Sequence, residues 1–488
     1  MSPREIFALR DYLDSDLTGR FLSDARQIAS LTDIASRTGL KGRLGELSGK
    51  SVLLAVTGQF LSALAMLEID GVAGRILLCP PDLKPDHVEG LLEDAAIDAV
   101  VTDRPASWAA CGVDLVVTVG EIVQATRRAQ TERATEWLML TSGTSGLPKI
   151  VSHTLEGLTG AIVADGSTRA ACTVWATFYD IRRYGGLQIF LRAIVGGGSM
   201  VLCESGETIG DFATRLNEKS VTHISGTPSH WRKLLMSGAA FGFTPRYVRL
   251  SGEIADQAVL DGLRRAFPSA SIGHAYASTE AGVGFAVNDG LEGFPASMIG
   301  QSRDGVEMKV VDGSLRIRSR RTAHACVGRR AAALTDAEGF VDTGDMVELR
   351  GERYHFVGRR GGIINIGGLK VHPEEIEAVI NRRDEVRMSR ARSRRSPITG
   401  AIVVADVILA DGCDASLSED IRNKILADCR ANRGERRVNF MPKSEDLRSV
   451  IIPPENIRYS PRNSMLAMCS LRGPAVISQH HRKKPRQR

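Results

Sequence analysis

The sequence has no uninterrupted apolar run approaching the roughly 20 residues that a membrane-crossing helix needs. Near its start, Arg4, Glu5, Arg10, Asp11 and Asp14 interrupt what would have to be the apolar centre of a signal peptide. A cytoplasmic protein without a membrane span is the expectation. Cys-x-x-Cys pairs are also lacking. The eight cysteines stand apart at 79, 111, 172, 203, 326, 413, 429 and 469, which argues against a zinc knuckle or a disulfide framework and for reduced thiols. Aromatic residues are few and do not interleave with the basic runs. The net charge of +6, the arginines crowding 382–395 and the segment His480-His481-Arg482-Lys483-Lys484 therefore read as solvated faces or loose ends, with no nucleic-acid partner. No internal repeat is present.

What the chain does have is length and alternation. At 488 residues it exceeds one typical core, so a large domain with a smaller companion is the default. Residues 51–58 read as a strand, 59–70 as a helix, 74–79 as a strand, 86–96 as a helix and 98–102 as a strand. That order predicts a doubly wound parallel sheet. A second α/β block spans about 170–285, with strands at 174–178, 198–203, 221–225 and 247–251 and helices at 229–236 and 256–266. Short alternating strands at 306–311, 314–318, 345–349 and 353–357 suggest a β-rich subdomain. Gly361-Gly362 would then be a hinge before a small lid. The lid has a helix over 373–380 with Pro373 in its first turn, a strand over 398–409, and a helix over 416–429 opened by the capping box Ser416-Leu417-Ser418-Glu419.

The segment Leu138-Met139-Leu140-Thr141-Ser142-Gly143-Thr144-Ser145-Gly146-Leu147-Pro148-Lys149 combines a strand with a glycine-rich, hydroxyl-rich turn and a lysine. Small residues let backbone N–H groups approach an anion, and the hydroxyls of Thr141, Ser142, Thr144 and Ser145 add donors. Leu147-Pro148 separates the second glycine from Lys149, so the spacing is not that of a Walker loop. Taken alone, the string fits an ordinary turn as well as a phosphate site.

Further motifs follow in order: Tyr276-Ala277-Ser278-Thr279-Glu280, Asp342-Thr343-Gly344-Asp345, Gly358-Arg359-Arg360, and Gly367-Gly368-Leu369-Lys370-Val371 leading into Pro373-Glu374-Glu375-Ile376-Glu377. With the loop, this series resembles the adenylate-forming (AMP-binding) superfamily of acyl-CoA synthetases, adenylation domains and luciferases, and in type the acyl- or aryl-CoA ligases, over about residues 50–430. The resemblance implies an α/β fold: a large N-terminal domain (1–357) of two doubly wound sheets plus a β-rich subdomain that binds ATP and the acyl substrate, a hinge (358–362), and a small mobile α/β C-terminal domain (363–430). It implies ATP, Mg²⁺ and CoA, or a phosphopantetheine thiol on an acyl carrier protein, as cofactors and partners, and a small carboxylic acid as substrate.

The resemblance also implies roles. Thr141, Ser142, Gly143, Thr144, Ser145, Gly146 and Lys149 would hold the outgoing phosphates, Thr279 the α-phosphate and Glu280 the Mg²⁺. Tyr276 would pack on the adenine beside Ser251-Gly252, while Asp345 and Arg359 would reach the ribose. Gly368 and Lys370 would serve thioester formation. Bland alternatives exist: a core tyrosine, a Thr-Glu helix cap, a turn carboxylate and a surface arginine. Glu253 is less apolar than expected, and Asp180 stands near the place of a family histidine, either as part of the acyl pocket or as a surface turn residue. Ser225, Gly226, Thr227 and Ala275 are further candidates to line that pocket. His153, His230 and His274 are isolated and read as structural.

The resemblance breaks after Arg430, in a tail over 431–488 that is atypical and expected to be poorly ordered. The family closes on a Pro-x-Thr-x-x-Gly-Lys segment whose lysine serves adenylation, and no Gly-Lys pair occurs downstream. Lys443, in Met-Pro-Lys-Ser, has the wrong context. Impaired adenylation is one consequence, a non-catalytic nucleotide-binding relative is the alternative, and a shifted reading frame past codon 430 would explain the change. Ile150 and Leu155 replace the family's Gly and His.

Overall fold

The computed structural model describes residues 8–14, 16–124, 133–141, 148–162, 172–329, 331–360, 364–366, 369–371, 380, 383, 385–396, 400–409, 421, 424–425, 427, 439–442 and 448–452. Helix Gln59–Ile69 connects strands Ser51–Leu54 and Arg75–Leu78, as the apolar pattern predicts, and the three strands Ser51–Leu54, Arg75–Leu78 and Ala99–Thr102 pair in parallel. Strand Leu115–Thr118 extends one side of this seven-stranded sheet and Glu136–Thr141 the other. Its far edge is antiparallel, made by Lys149–His153 and Ala325–Val327. Helix Gln59–Ile69 is buried on nearly every side because it is apolar all round. At its C-terminus the buried Asp70 carboxylate accepts from Leu9 N–H (2.7 Å) and Trp137 Nε1–H (3.0 Å), and burial pushes its pKa up to about 7.

The second sheet is eight-stranded, with Val174–Thr177, Ser199–Leu202, His223–Gly226, Tyr247–Ser251 and Ser271–Ser278 in parallel. The hairpin partner Gly282–Val287 closes one edge, and Phe21–Ser23 with Ile28–Ser30 closes the other. These N-terminal strands precede the region that the motifs had marked out. One continuous core joins the two sheets, taking in Val52, Leu54, Trp137 and Met139 on one side and Trp175, Leu187, Phe190 and Met200 on the other. The opposite face of the second sheet buries Val248, Leu250 and Ile224 beneath helices Pro228–Met236 and Gln257–Ala266.

The β-rich segment forms a six-stranded antiparallel sheet in the order Phe294–Pro295, Arg353–Arg359, Val341–Arg350, Ser314–Ser319, Val306–Val311, Ser302–Arg303. Farther on, Val386–Ser396 pairs antiparallel with Gly400–Leu409. Of the two readings of the arginine run, a solvated face and a loose end, the strand Val386–Ser396 with its exposed arginines fits the first. Exposed Arg392 pairs with Asp406 across the strands at 2.8 Å, while Ser389 and Ala391 face inward. From the tail, Arg448–Ile452 and Asn439–Pro442 join the same sheet, so part of the segment expected to be poorly ordered is strand. The helix expected over 373–380 lies, apart from Ile380, outside the described residues, as do the Gly361-Gly362 hinge, Lys443 and most of 416–429. Among the described residues no helix is long and apolar enough to cross a membrane.

Candidate active site

Strand Glu136–Thr141 turns back through the glycine-rich segment into Lys149–His153, so that Lys149 stands directly opposite Thr141. The loop joins two antiparallel strands rather than a strand and a helix, which removes a Walker-type geometry. Thr141 is buried and its Oγ1 has no hydrogen-bond partner among the described residues, while Lys149 is exposed. Ser142, Gly143, Thr144, Ser145 and Gly146 lie outside the described residues.

The adjoining wall is the turn between Ser271–Ser278 and Gly282–Val287, which carries Thr279 and Glu280. It is a hairpin turn, so the helix-cap alternative for Thr-Glu does not hold. Backbone contacts fix it at both residues. The Thr279 carbonyl accepts from His153 Nε2–H at 2.8 Å, and the Glu280 carbonyl accepts from Ala323 N–H at 2.9 Å. Gly282 has φ +75° and lies so close to Arg321 that a Cβ would meet its carbonyl oxygen at 2.1 Å, so glycine is required where the turn ends. His153 is 1% exposed, and burial pushes its pKa down to about 4. The imidazole is neutral, and because a carbonyl can only accept, its proton sits on Nε2. Nδ1 is left buried without a partner.

Tyr276, Asp345 and Arg359, far apart in sequence, converge. Asp345 lies opposite Arg359 in the pairing of Val341–Arg350 with Arg353–Arg359. Tyr276 Oη–H donates to Asp345 Oδ2 at 2.5 Å, and Arg359 Nε–H donates to Asp345 Oδ1 at 2.6 Å. Burial, then the Asp345 charge, pushes the Tyr276 phenol well above its ordinary range. Burial opposes the Arg359 charge, but Asp345, Tyr276 and Glu280 outweigh it and raise its pKa. The Tyr276 ring is near-parallel to Phe285 (5.7 Å) and Phe356 (5.3 Å) in an aromatic cluster.

At the end of strand Tyr247–Ser251 the Ser251 carbonyl accepts from Tyr179 Oη–H at 2.5 Å, and Gly252 turns the chain with φ +81°. Glu253 points back to the start of helix Pro228–Met236, where Oε2 accepts from Ser229 N–H (3.0 Å) and Oγ–H (2.7 Å). This bracing explains a carboxylate where an apolar residue was expected, and burial raises its pKa. Asp180 holds the guanidinium of Arg182 by two bonds, Nε at 2.8 Å and Nη2 at 2.6 Å. Arg182 is 2% exposed and also donates to the carbonyls of Val56 and Thr57, so Asp180 is neither a surface turn residue nor a free carboxylate. Thr227 caps helix Pro228–Met236 with His230, while Ser225 Oγ is buried and unpartnered and Ala275 is buried. Lys370 faces Asn365 across a small hairpin, and Gly368 falls outside the described residues.

His153, read from the sequence as structural, meets the backbone of the Thr279 turn, a contact that its place in the sequence did not show. Among the described residues no cluster of three or more His, Cys, Asp or Glu is arranged to hold a metal.

A family model described as "AMP-binding enzyme" matches residues 38–321. A 2-succinylbenzoate–CoA ligase of Listeria innocua is 27% identical over 320 residues, covering 63% of this chain and 67% of the ligase. A ligase of the same name from Staphylococcus epidermidis is 25% identical, covering 50% of this chain and 53% of its own, so the chain spans between half and two thirds of these relatives. Among solved structures, o-succinylbenzoate CoA synthetase from Bacillus subtilis superposes with a TM-score of 0.67 at 17% identity, covering 90% of this chain and 96% of that one.

Proposed function

Because the chain belongs to the AMP-binding enzyme family, we propose that it activates an acyl or aryl carboxylic acid with ATP to an acyl adenylate, releasing pyrophosphate, and then transfers the acyl group to CoA. The observation that carries this reading is the convergence of Tyr276, Asp345 and Arg359 beside the Thr279–Glu280 turn. Each carboxylate oxygen of Asp345 has already accepted one protein donor and keeps a second lone pair, which suits the two ribose hydroxyls. Tyr276 and the Ser251–Gly252 turn flank the adenine.

The attacking carboxylate and the α-phosphorus must be held in line while charge grows on the departing pyrophosphate. Thr279 supplies a hydroxyl to the α-phosphate from a turn whose backbone His153 grips. Thr141 and Lys149 are assigned to the pyrophosphate side, and Thr141 Oγ1, without a partner among the described residues, is a donor that a phosphate oxygen would satisfy. Glu280 fits Mg²⁺, since Asp345 is already committed to Tyr276 and Arg359. When bound, Mg²⁺ neutralises phosphate charge. For the second half-reaction the residues assigned are Gly368 and Lys370, which follow the expected 358–362 hinge in the sequence.

Calorimetric titration of ATP, followed by pyrophosphate release over a panel of fatty, aryl and amino acids, tests the reading. ATP binding with acid-dependent pyrophosphate release is expected. ATP binding without release for any acid would favour the non-catalytic alternative, to which the absence of a Gly-Lys segment after Arg430 lends weight. Comparing CoA with a phosphopantetheinylated carrier protein separates the two acceptors.

A further inference from the structure

Strand Val174–Thr177 is where the order of the second sheet divides: the next strand of that sheet in sequence, Ser199–Leu202, pairs on one side of it and His223–Gly226 on the other. In an open α/β sheet the crevice beyond the carboxyl end of such a strand is where ligands bind. Tyr179 stands two residues past that end. Its backbone is fixed there, since Tyr179 N–H donates to Thr177 Oγ1 and Phe178 N–H to the Ser225 carbonyl, each at 3.0 Å.

From this position the Tyr179 side chain reaches past strand His223–Gly226 to the end of Tyr247–Ser251. Its Oη–H donates to the Ser251 carbonyl at 2.5 Å. The ring stands edge-on to His230, with centroids 6.1 Å apart at 86°. A Cβ on Gly252 would lie 3.8 Å from the phenol oxygen, so the hydroxyl adjoins the turn as well as the strand end. Burial, then the charge of Glu253, holds the phenol above its ordinary range, and at neutral pH it is a donor.

The turn that it meets has little rigidity of its own. Gly252 has φ +81°, carries no side chain to pack and is exposed, and Ile254 beyond it is 45% exposed. Glycine also loses more freedom on ordering than any other residue. Side chains from two other elements supply what the backbone lacks. Tyr179 grips Ser251, before the glycine, and Ser229 at the start of helix Pro228–Met236 grips Glu253, after it.

We propose that Tyr179 is a positioning residue for the nucleotide, its hydroxyl locking the Ser251–Gly252 turn in the binding conformation before a nucleotide enters. This rests on the reading of that turn as the adenine side of the site, and it adds a residue outside the motifs that acts through the turn. Order established in the free protein is not charged against binding, so the brace raises affinity without a contact of its own.

Y179F is the test, because it removes one oxygen and keeps the ring. ATP and AMP are titrated by calorimetry into the full chain and the variant, without any acid, so the result does not depend on turnover. Both nucleotides should bind Y179F about fivefold more weakly, the change that one lost hydrogen bond supports, and by the same factor, since the turn meets the nucleoside rather than the phosphates. Amide hydrogen exchange over residues 250–256 of the unliganded variant should be faster, with exchange over 276–280 unchanged. A phenol that only satisfies its own burial would lower the thermal melt and leave both affinities where they were, which would overturn the proposal. Weaker ATP binding with AMP unaffected would overturn it too, by placing the effect at the phosphates. In either case the nucleotide reading stands. Failure of ATP and AMP to bind the unaltered protein would overturn both.

Discussion

At the scale of single residues, His153 shows how a buried side chain can serve a site without touching its ligands. Its Nε2–H joins the strand that follows the glycine-rich segment to the carbonyl of Thr279 on the facing turn. Replacing it with alanine removes the donor, frees the turn and is expected to lower the rate of acid-dependent pyrophosphate release by roughly 10–100-fold, the scale of a small misplacement of reacting groups. Glutamine, whose amide N–H reaches nearly the same place, should restore most of that rate. If H153A and H153Q turn over alike and differ only in thermal stability, the residue merely packs. The pH behaviour follows from the same burial. With a folded pKa of about 4 against an ordinary 6.5, the imidazole contributes stability that is fully present above pH 6.5 and lost as pH falls toward 4. The loss amounts to about 3 kcal/mol for this group, and H153Q should show a correspondingly flatter acid limb in urea midpoints. None of this was legible in the sequence, where a histidine after a strand carries no sign of what its ring meets.

At the scale of elements, the strands with clean alternation or apolar runs were legible in place, two of them to the residue, while others differ at their ends, as 51–58 does from Ser51–Leu54 and 345–349 from Val341–Arg350. Tyr247–Ser251 and Val306–Val311 have the bounds that the pattern predicted. Val386–Ser396 was not legible, because arginines on its exposed face hide the small residues that it buries. The segment around Asp180 was misread for a related reason. Two opposite charges two residues apart look like a solvated turn, yet here they form an inward clamp that fastens the start of helix Tyr184–Val195 to the backbone of Val56 and Thr57. Removing Asp180 alone strands the Arg182 charge, and D180A is expected to lose about 3–5 kcal/mol in equilibrium unfolding. The double variant D180A/R182M should recover part of that loss, since it removes the charge along with its partner. A D180A protein as stable as the original would mean that the clamp is not closed in solution.

At the scale of the whole molecule, the strands that carry the motifs are distributed over four sheets, and among the described residues Tyr276, Asp345 and Arg359 are the ones seen to meet. What order cannot supply is the closing surface. The family places a Gly-Lys segment there, the chain has none after Arg430, and the tail instead adds strands Asn439–Pro442 and Arg448–Ile452 to the sheet of the last segment. A lysine missing at that point affects the two half-reactions unequally. Adenylation develops negative charge on the departing pyrophosphate and must align two anions, so losing one cation aimed at them should slow it by about 10²–10³-fold. Thioester formation begins from a neutral carbonyl in a finished adenylate, and Gly368 and Lys370, the residues proposed for it, are present in the chain. A synthetic acyl adenylate supplied with CoA should therefore give thioester faster than the same acid supplied with ATP and CoA. Following thioester formation from both starting points in single-turnover mixtures separates the steps. Equal slowing of the two, relative to a related ligase with its lysine in place, would mean that the altered tail disables the whole closing segment rather than one charge. A fast overall reaction from the free acid would mean that another cation, with Lys149 the first to replace by alanine, does the work of the missing lysine.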